Sequence, residues 1–239
     1  MRRDQIRTPS LVVDVDVLDR NIAIMTQWAK KQGVSLRPHA KSHKSPDIAR
    51  RLAKAGAIGQ CCATIAEAEA LAAAGIAGLH VTSPLATADM LARFKTLLAR
   101  GADVMTVADN PKNVDQLAQI AKETGRTLPV IVELDVGIGR TGCVEVEDAV
   151  ALVKHIGKHP SLSFAGVQAY WGHLQQVMPF DDRKARVAAM AERLGKLVAA
   201  LKQAGLPPKI VTGGGTGTHW IDAQHGLFTE LQPGSFIFL

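Results

Sequence analysis

Residues 36–44 read Leu-Arg-Pro-His-Ala-Lys-Ser-His-Lys, which sets Arg37, His39, Lys41, His43 and Lys44 almost side by side. In an extended chain, side chains two positions apart share a face, so residues 36–41 read as a strand with Arg37, His39 and Lys41 pointing one way. Three basic groups on an inner face need an anion or a chemical task. A solvated basic strand end would carry the same letters. A lysine crowded by cations loses part of its preference for the ammonium form, and the neutral amine is the form that attacks an aldehyde to give a Schiff base. Lys41 is therefore the candidate covalent anchor, while Lys44 is expected at a helix start, off that face.

Outward from this stretch, short β-branched runs alternate with helical patterns. Strands are predicted at 36–41, 59–64, 79–83, 103–108, 129–135, 164–170, 209–213 and 229–233. Eight such units give an α/β fold, a (β/α)8 barrel of parallel strands. Leu-Val-Val-Asp-Val-Asp at 11–16 reads as a further extended segment that a closed barrel does not require. In the first helix Asp16 is placed to cap the N-terminus, with Leu18, Ile22, Met25 and Trp28 inward and Gly33 past the end. Over 183–204, Val187, Met190, Leu194, Leu197, Val198 and Leu201 share one helical face, and Gly205 and Pro207 supply the stop.

At 239 residues and 47% apolar content, the chain is expected to form one domain over 1–239. Its net charge of +6 is dispersed and aromatics are only 4%, so no stacking platform or arginine tract points to nucleic acid. A small anionic ligand suits that balance. Cys61, Cys62 and Cys143 are odd in number, two of them adjacent in an apolar strand-like run, which fits reduced core thiols and a cytoplasmic setting. The basic start is followed by an apolar run broken by Asp14 and Asp16, unlike a secretory leader. No apolar segment is long enough to cross a bilayer, so no membrane partner is expected.

Barrel active sites lie at the C-terminal strand ends, and unusual residues collect there. Lys41 follows the first strand, Ser83-Pro84 the third, and Asp135 with the loop to Arg140 the fifth. Gln168, Tyr170 and His173 follow the sixth. The seventh runs into Thr212, Gly213, Gly214, Gly215 and Thr216, and the eighth into Gln232, Pro233, Gly234 and Ser235. Glycine turns let backbone amides approach an anion, and the loops after strands seven and eight often hold a phosphate in such barrels. Thr216, Gly234 and Ser235 are the first contacts to expect. Taken alone, the glycine run also fits a plain tight turn, and it has neither P-loop nor GxGxxG spacing.

Together, TPSLVVD at 8–14, RPHAKSHKSPDIARR at 37–51, ELDVGIGRTG at 133–142, GHLQ at 172–175, VTGGGTGT at 211–218 and ELQPGS at 230–235 carry a resemblance. The chain resembles the fold-type III pyridoxal-phosphate enzymes of the D-threonine aldolase, D-serine dehydratase and 3-hydroxy-D-aspartate aldolase group, whose N-terminal barrel is shared with alanine racemase. The resemblance implies that Lys41 holds pyridoxal 5′-phosphate covalently. It further implies that Arg140 approaches the phenolic oxygen and that His173 stacks on the pyridine ring. His39, Gln168 and Tyr170 line the same pocket, and Thr212, Gly214, Gly215, Thr216, Gly234 and Ser235 surround the phosphate. Gln232 stands where alanine racemases place an arginine opposite the pyridine nitrogen. An uncharged partner there is expected to leave that nitrogen less protonated and the ring a weaker electron sink.

Family members continue into a β-rich C-terminal domain that supplies a metal-binding pair. This chain ends at Phe236-Ile237-Phe238-Leu239, which reads as a strand cut short, so a fragment or truncated form lacking that domain is expected. The segment 11–16 would then lack its partner. A divalent metal, Mn, Mg or Zn, is implied with its ligands outside this chain, since the histidines here show no ligand spacing. The resemblance also fits a homodimer. For the complete enzyme it implies a D-amino acid substrate with a β-hydroxyl. Cα–Cβ cleavage would give glycine and an aldehyde or oxo acid, and loss of the hydroxyl would give a keto acid and ammonia. The aldolase branch is the nearer reading and the dehydratase the alternative. A different class, a small pyridoxal-phosphate homeostasis protein that binds without catalysis, shares the lone barrel but not the PHAKSHK segment.

Overall fold

The computed structural model describes residues 3–239; Met1 and Arg2, part of the basic start, lie outside the described residues. Eight strands run through it: β1 (Ser35–Leu36), β2 (Gln60–Cys62), β3 (Leu79–Val81), β4 (Val104–Ala108), β5 (Leu128–Glu133), β6 (Leu162–Ala169), β7 (Ile210–Gly213) and β8 (Glu230–Leu231). All pair in parallel, in the order β1-β8-β7-β6-β5-β4-β3-β2. The two ends of that order are joined by a His39–Cys61 bridge and by bonds from Ile58 N to Leu36 O and from Cys61 N to Pro38 O, both 2.9 Å. The sheet is a closed ring, the predicted (β/α)8 barrel.

The outer layer comprises α1 (Val15–Gln32), α2 (Pro46–Lys54), α3 (Ile65–Ala73), α4 (Ala88–Ala99), α5 (Pro111–Thr124), α6 (Val146–Ile156), α7 (Phe180–Gln203) and α8 (His219–Gln224). The helices after β1, β2, β3 and β4 begin on a side-chain cap: Ser45, Thr64, Thr87 and Asn110 accept from Ile48, Glu67, Met90 and Asn113 backbone N–H groups. These caps fix short loops at the C-terminal rim, where the site forms. After β8 comes only a 3-10 turn, Ser235–Phe238, and α1 packs against it. Asn21 Nδ2 donates to the carbonyls of Ile237 and Leu239 at 3.4 and 2.5 Å.

Strand alternation separates two interiors. Leu36, Val81, Val104, Val130, Val132, Val167 and Leu231 face the helices and form the main core with Leu52, Phe94, Leu117, Leu152 and Leu194. Inside the ring, Met105, Val107 and Ile131 make a small apolar floor. Most other inward positions are polar and buried: Arg37, His39, His80, Glu133, Gln168, Thr212, Glu230 and Gln232.

Three expectations change in detail. Of the strand predicted over 36–41 only Ser35–Leu36 is regular; Arg37 N and His39 N still donate to Leu231 O and Pro233 O at 2.9 and 3.1 Å, but Pro38 has no N–H to donate and Lys41 lies in a 3-10 turn, Ala40–Ser42. The extended segment at 11–16 forms no strand. Residues 11–14 pair with nothing among the described residues, and Val15 and Asp16 are already helical. Asp14, not Asp16, is the cap, accepting from Asp16 N at 3.0 Å and Val17 N at 3.1 Å. Leu11, Val12 and Val13 are left exposed. The inward α1 residues and the Gly33 stop are as expected, with Gly33 at φ 69°.

Arg37 does not join an anion site, for its anion is internal. Its Nε and Nη2 donate to the two carboxylate oxygens of Glu230 at 2.9 and 3.0 Å, and Nη1 donates to the Gly78 carbonyl. Both side chains are buried, and burial of two charges is tolerated only with this two-pronged geometry. Glu230→Ala should cost about 3–5 kcal/mol by stranding the guanidinium, whereas Arg37→Met with Glu230→Leu should recover most of that loss. Urea unfolding of both variants measures this, and equal losses would show that the cost is not that of a stranded guanidinium.

Candidate active site

At the C-terminal rim the strand ends and their loops surround a cavity of 710 Å³. Of the residues singled out from sequence, Lys41, His39, Arg140, Gln168, Tyr170, His173, Gly215, Thr216, Gln232, Gly234 and Ser235 line it. Thr212 and Gly214 do not. Thr212 is fully buried beneath the wall, accepting from Gln232 Nε2 at 2.9 Å, and Gly214 packs behind it against Asp222 and Leu231. Lys44 is off the site as expected, paired with Glu67 at 3.5 Å.

Lys41 reaches the cavity because the chain turns sharply after His39, whose Nδ1 accepts from the Lys41 backbone N–H at 3.4 Å. The Lys41 ammonium lies 5.3 Å from the centre of the Tyr170 ring. Partial withdrawal from water and then the Arg140 guanidinium lower its pKa from the usual lysine range. His39 is held well below its ordinary value by burial and then by Lys41, so it stays neutral, with Nε2 3.3 Å from Thr82 Oγ1. Arg140 is presented by a loop wound around one carboxylate oxygen. Asp135 Oδ1 accepts from the N–H groups of Gly137, Ile138 and Gly139 at 2.9, 3.0 and 3.2 Å.

One wall is backbone. The turns after β7 and β8 meet where Phe236 N donates to Thr216 Oγ1 at 3.2 Å. The backbone N–H groups of Thr216, Gly234 and Ser235 have no acceptor among the described residues; Thr216 and Gly234 are half-buried, where amides ordinarily find one, and Ser235 is exposed. A Cβ at Gly217 would stand 2.0 Å from the Gln175 carbonyl oxygen, so only glycine permits that approach, while one at Gly234 or Gly215 would push aside the Ser42 or Gln175 side chain. Free amides in a glycine cradle beside a lysine and an arginine fit a phosphate ester. The donor set, the amine and the volume accommodate pyridoxal phosphate.

The floor is a directed chain of amides. Gln168 Nε2 donates to Glu133 Oε1 at 2.9 Å and to the Thr82 carbonyl at 3.1 Å. With its nitrogen fixed by two acceptors, Gln168 turns its oxygen to Gln232 Nε2, 3.1 Å away. Gln232 Nε2 also serves Thr212, so its own oxygen is the group left for the cavity. Burial raises the Glu133 carboxyl, with Gln168 and Thr141 opposing the shift.

Several working residues were not singled out from sequence. Gln175, within the GHLQ segment, accepts from Gly217 N and donates to Thr218 Oγ1, both at 2.9 Å, and so pins the glycine turn. Asp222 accepts from Trp171 Nε1 at 2.9 Å, from Thr218 Oγ1 at 2.6 Å and from the Gly215 amide. Ser42 and Gly217 also line the cavity. The motif that contains Gln175 was visible, but its partners lie 42 and 43 residues away. The expectation that the histidines offer no metal spacing needs correction. Asp115, His155 and His159 bring three donor atoms together on the outer helices and could hold a divalent ion, though none of them lines the cavity. Cys61, Cys62 and Cys143 are buried free thiols. No helix among the described residues is long and apolar enough to cross a membrane.

A closed α/β barrel whose cavity is lined by a lysine after its first strand and by glycine turns after its seventh and eighth belongs to the class of α/β barrels with a site at the C-terminal rim. Residues 13–239 match the family model for the alanine racemase N-terminal domain, and the chain belongs to that family. It is 38% identical over its whole length to a 3-hydroxy-D-aspartate aldolase of Paracoccus denitrificans, covering 62% of that protein. It is similar to the crystal structure of D-threonine aldolase from Filomicrobium marinum, with a TM-score of 0.95 and 37% identity over 98% of this chain and 63% of the other. A D-threo-3-hydroxyaspartate dehydratase of Delftia sp. is 31% identical over 97% of this chain and 61% of its own length. The chain thus spans about 62% of the curated aldolase it matches.

Burial pushes the Asp222 carboxyl up to about 7 from 3.8, against the pull of its donors. A raised carboxyl favours the protonated folded state, so its stabilising contribution is full below pH 3.8 and is lost as pH rises to about 7. The stability difference between wild type and Asp222→Asn, from urea midpoints, should fall across that window and level off above it. A difference independent of pH would contradict the assignment.

Proposed function

We propose that this chain is the cofactor barrel of a pyridoxal-phosphate-dependent lyase acting on D-amino acids that carry a β-hydroxyl, with retro-aldol cleavage of 3-hydroxy-D-aspartate or D-threonine type substrates as the activity. The observation that carries it is the Lys41 amine, its pKa lowered, facing unpaired amides of two glycine turns across one cavity. The aldolase relatives support the reaction, and the shared barrel supports the cofactor.

When bound, pyridoxal phosphate supplies an aldehyde that holds the substrate nitrogen and a ring that draws electrons from the bonds at Cα. Thr216, Gly234 and Ser235 grip its phosphate through the main chain. Lys41 would hold the aldehyde carbon, and beside Tyr170 its amine would serve as a base, its lowered pKa keeping a larger neutral fraction than an exposed lysine has. Arg140 and Lys41 give the mouth a positive field that attracts the substrate carboxylate. His173 and Tyr170 supply flat walls, and the neutral Gln232 oxygen closes the far end. The lining contains no carboxylate and no thiol, so this cavity does not by itself offer the donor set of a divalent metal.

The dehydratase relative favours a second reading, loss of the β-hydroxyl after Lys41 removes the α-proton, giving an oxo acid and ammonia. Borohydride reduction of the protein with pyridoxal phosphate, followed by peptide mass spectrometry, should place the pyridoxyl adduct on Lys41 and lose it in Lys41→Ala. An adduct solely on Lys44, or none, refutes the anchor. Product analysis with D-threonine, D-serine and 3-hydroxyaspartate isomers, with and without Mn²⁺ or Zn²⁺, then separates glycine plus aldehyde from oxo acid plus ammonia. Cofactor binding without turnover in a chain that includes all segments of the longer relatives would leave only a carrier.

A further inference from the structure

The outer layer of the barrel holds a second cluster that the lyase chemistry does not use. Asp115 projects from α5, His155 from the last turn of α6, and His159 from the turn that leads into β6. Both imidazole Nε2 atoms converge on one oxygen, Asp115 Oδ1, at 2.7 Å from His155 and 3.1 Å from His159. The two rings stand 5.2 Å apart at 77°, edge to face. The three donor atoms all lie within 4.8 Å of one another.

The supporting backbone is fixed. His159 N donates to Ile156 O at 3.0 Å and His159 O accepts from Leu162 N at 2.9 Å, which holds the turn in place as β6 begins. Ser161 Oγ donates to the Ala118 carbonyl at 2.9 Å, tying that turn to α5 one turn along from Asp115. Ligands from two elements are therefore held in register by contacts other than their own. His155 and His159 are also four apart, the spacing that puts two side chains on one face of a helix and its continuation.

We propose that Asp115, His155 and His159 form a binding site for a zinc-class divalent cation, separate from the cofactor cavity. Two neutral imidazoles and one carboxylate are a borderline donor set that suits Zn²⁺ and disfavours Mg²⁺ or Ca²⁺, which take oxygen shells. Around a tetrahedral ion with bonds of roughly 2.0–2.2 Å, donor atoms stand about 3.3–3.5 Å apart, so the two present separations, 2.7 and 3.1 Å, need to open by less than about 1 Å. The three side chains are 56%, 25% and 28% exposed, which leaves them free to make that adjustment and leaves the fourth position to water. A bound ion would replace two hydrogen bonds with three metal bonds and clip α5 to the α6–β6 turn. A ligand that binds only the folded chain raises its unfolding temperature.

The test uses untagged, metal-stripped protein at neutral pH, titrated with Zn²⁺ by calorimetry and with Co²⁺ by visible spectroscopy. Wild type and Lys41→Ala should each bind one zinc ion with equal affinity and show a rise in melting temperature. His155→Ala and His159→Ala should weaken that binding by about tenfold or more and lose the tetrahedral Co²⁺ absorbance. Zinc bound equally by wild type and His159→Ala, or not bound by wild type, overturns the site. Circular dichroism and the melting temperature without metal show whether each variant is folded. If His155→Ala is not, His159→Ala and Asp115→Ala carry the comparison.

Discussion

The fork between Arg37 and Glu230 is the constraint from which the active geometry follows. It sits beside the seam of the ring, where β1 and β8 are each only two residues long and β1 meets β2 through a single bridge. A few main-chain bonds cannot hold such a seam rigid, and the guanidinium adds bonds to Glu230 on β8 and to the carbonyls preceding β2 and β3. Four residues beyond Arg37 the chain delivers Lys41 to the mouth. The amine is therefore placed from the floor of the barrel upward, by a charge pair that never meets a ligand.

Above that pair the ring becomes a polar, layered funnel. Neutral His39 and the Glu133–Gln168–Gln232 chain occupy the middle level, with every amide orientation dictated by its neighbour. The mouth carries cationic Lys41 and Arg140 with no lining carboxylate to offset them. Positive charge at the rim and a neutral floor give the cavity a gradient, so an anionic ligand is drawn in and then oriented by hydrogen bonds.

All eight strands and the barrel were legible in the sequence because β-branched runs alternate with helical stripes, and most cavity residues were legible because they stand at strand ends. What failed was local competition. Pro38 interrupts the first strand, and Asp14 captures the start of α1 from the extended reading of 11–16. The role of Arg37 was hidden because its partner is 193 residues away. Asp222 and Gln175 were hidden for the same reason, since the groups they hold come from other loops. Of the outer cluster, the His155–His159 spacing was readable, but Asp115 lies 40 residues from His155 and only the fold brings it in.

The unpaired amides of Thr216, Gly234 and Ser235 carry a consequence for how such a barrel diversifies. A grip made by peptide groups does not depend on which side chain each residue bears, so substitutions there are felt through bulk and backbone shape more than through chemistry. The opposite rim, from Arg140 to His173, works through side chains and changes character with a single replacement. One half of the mouth is thus set by main chain and the other by side chains, so a replacement in the second alters its chemistry without disturbing the first.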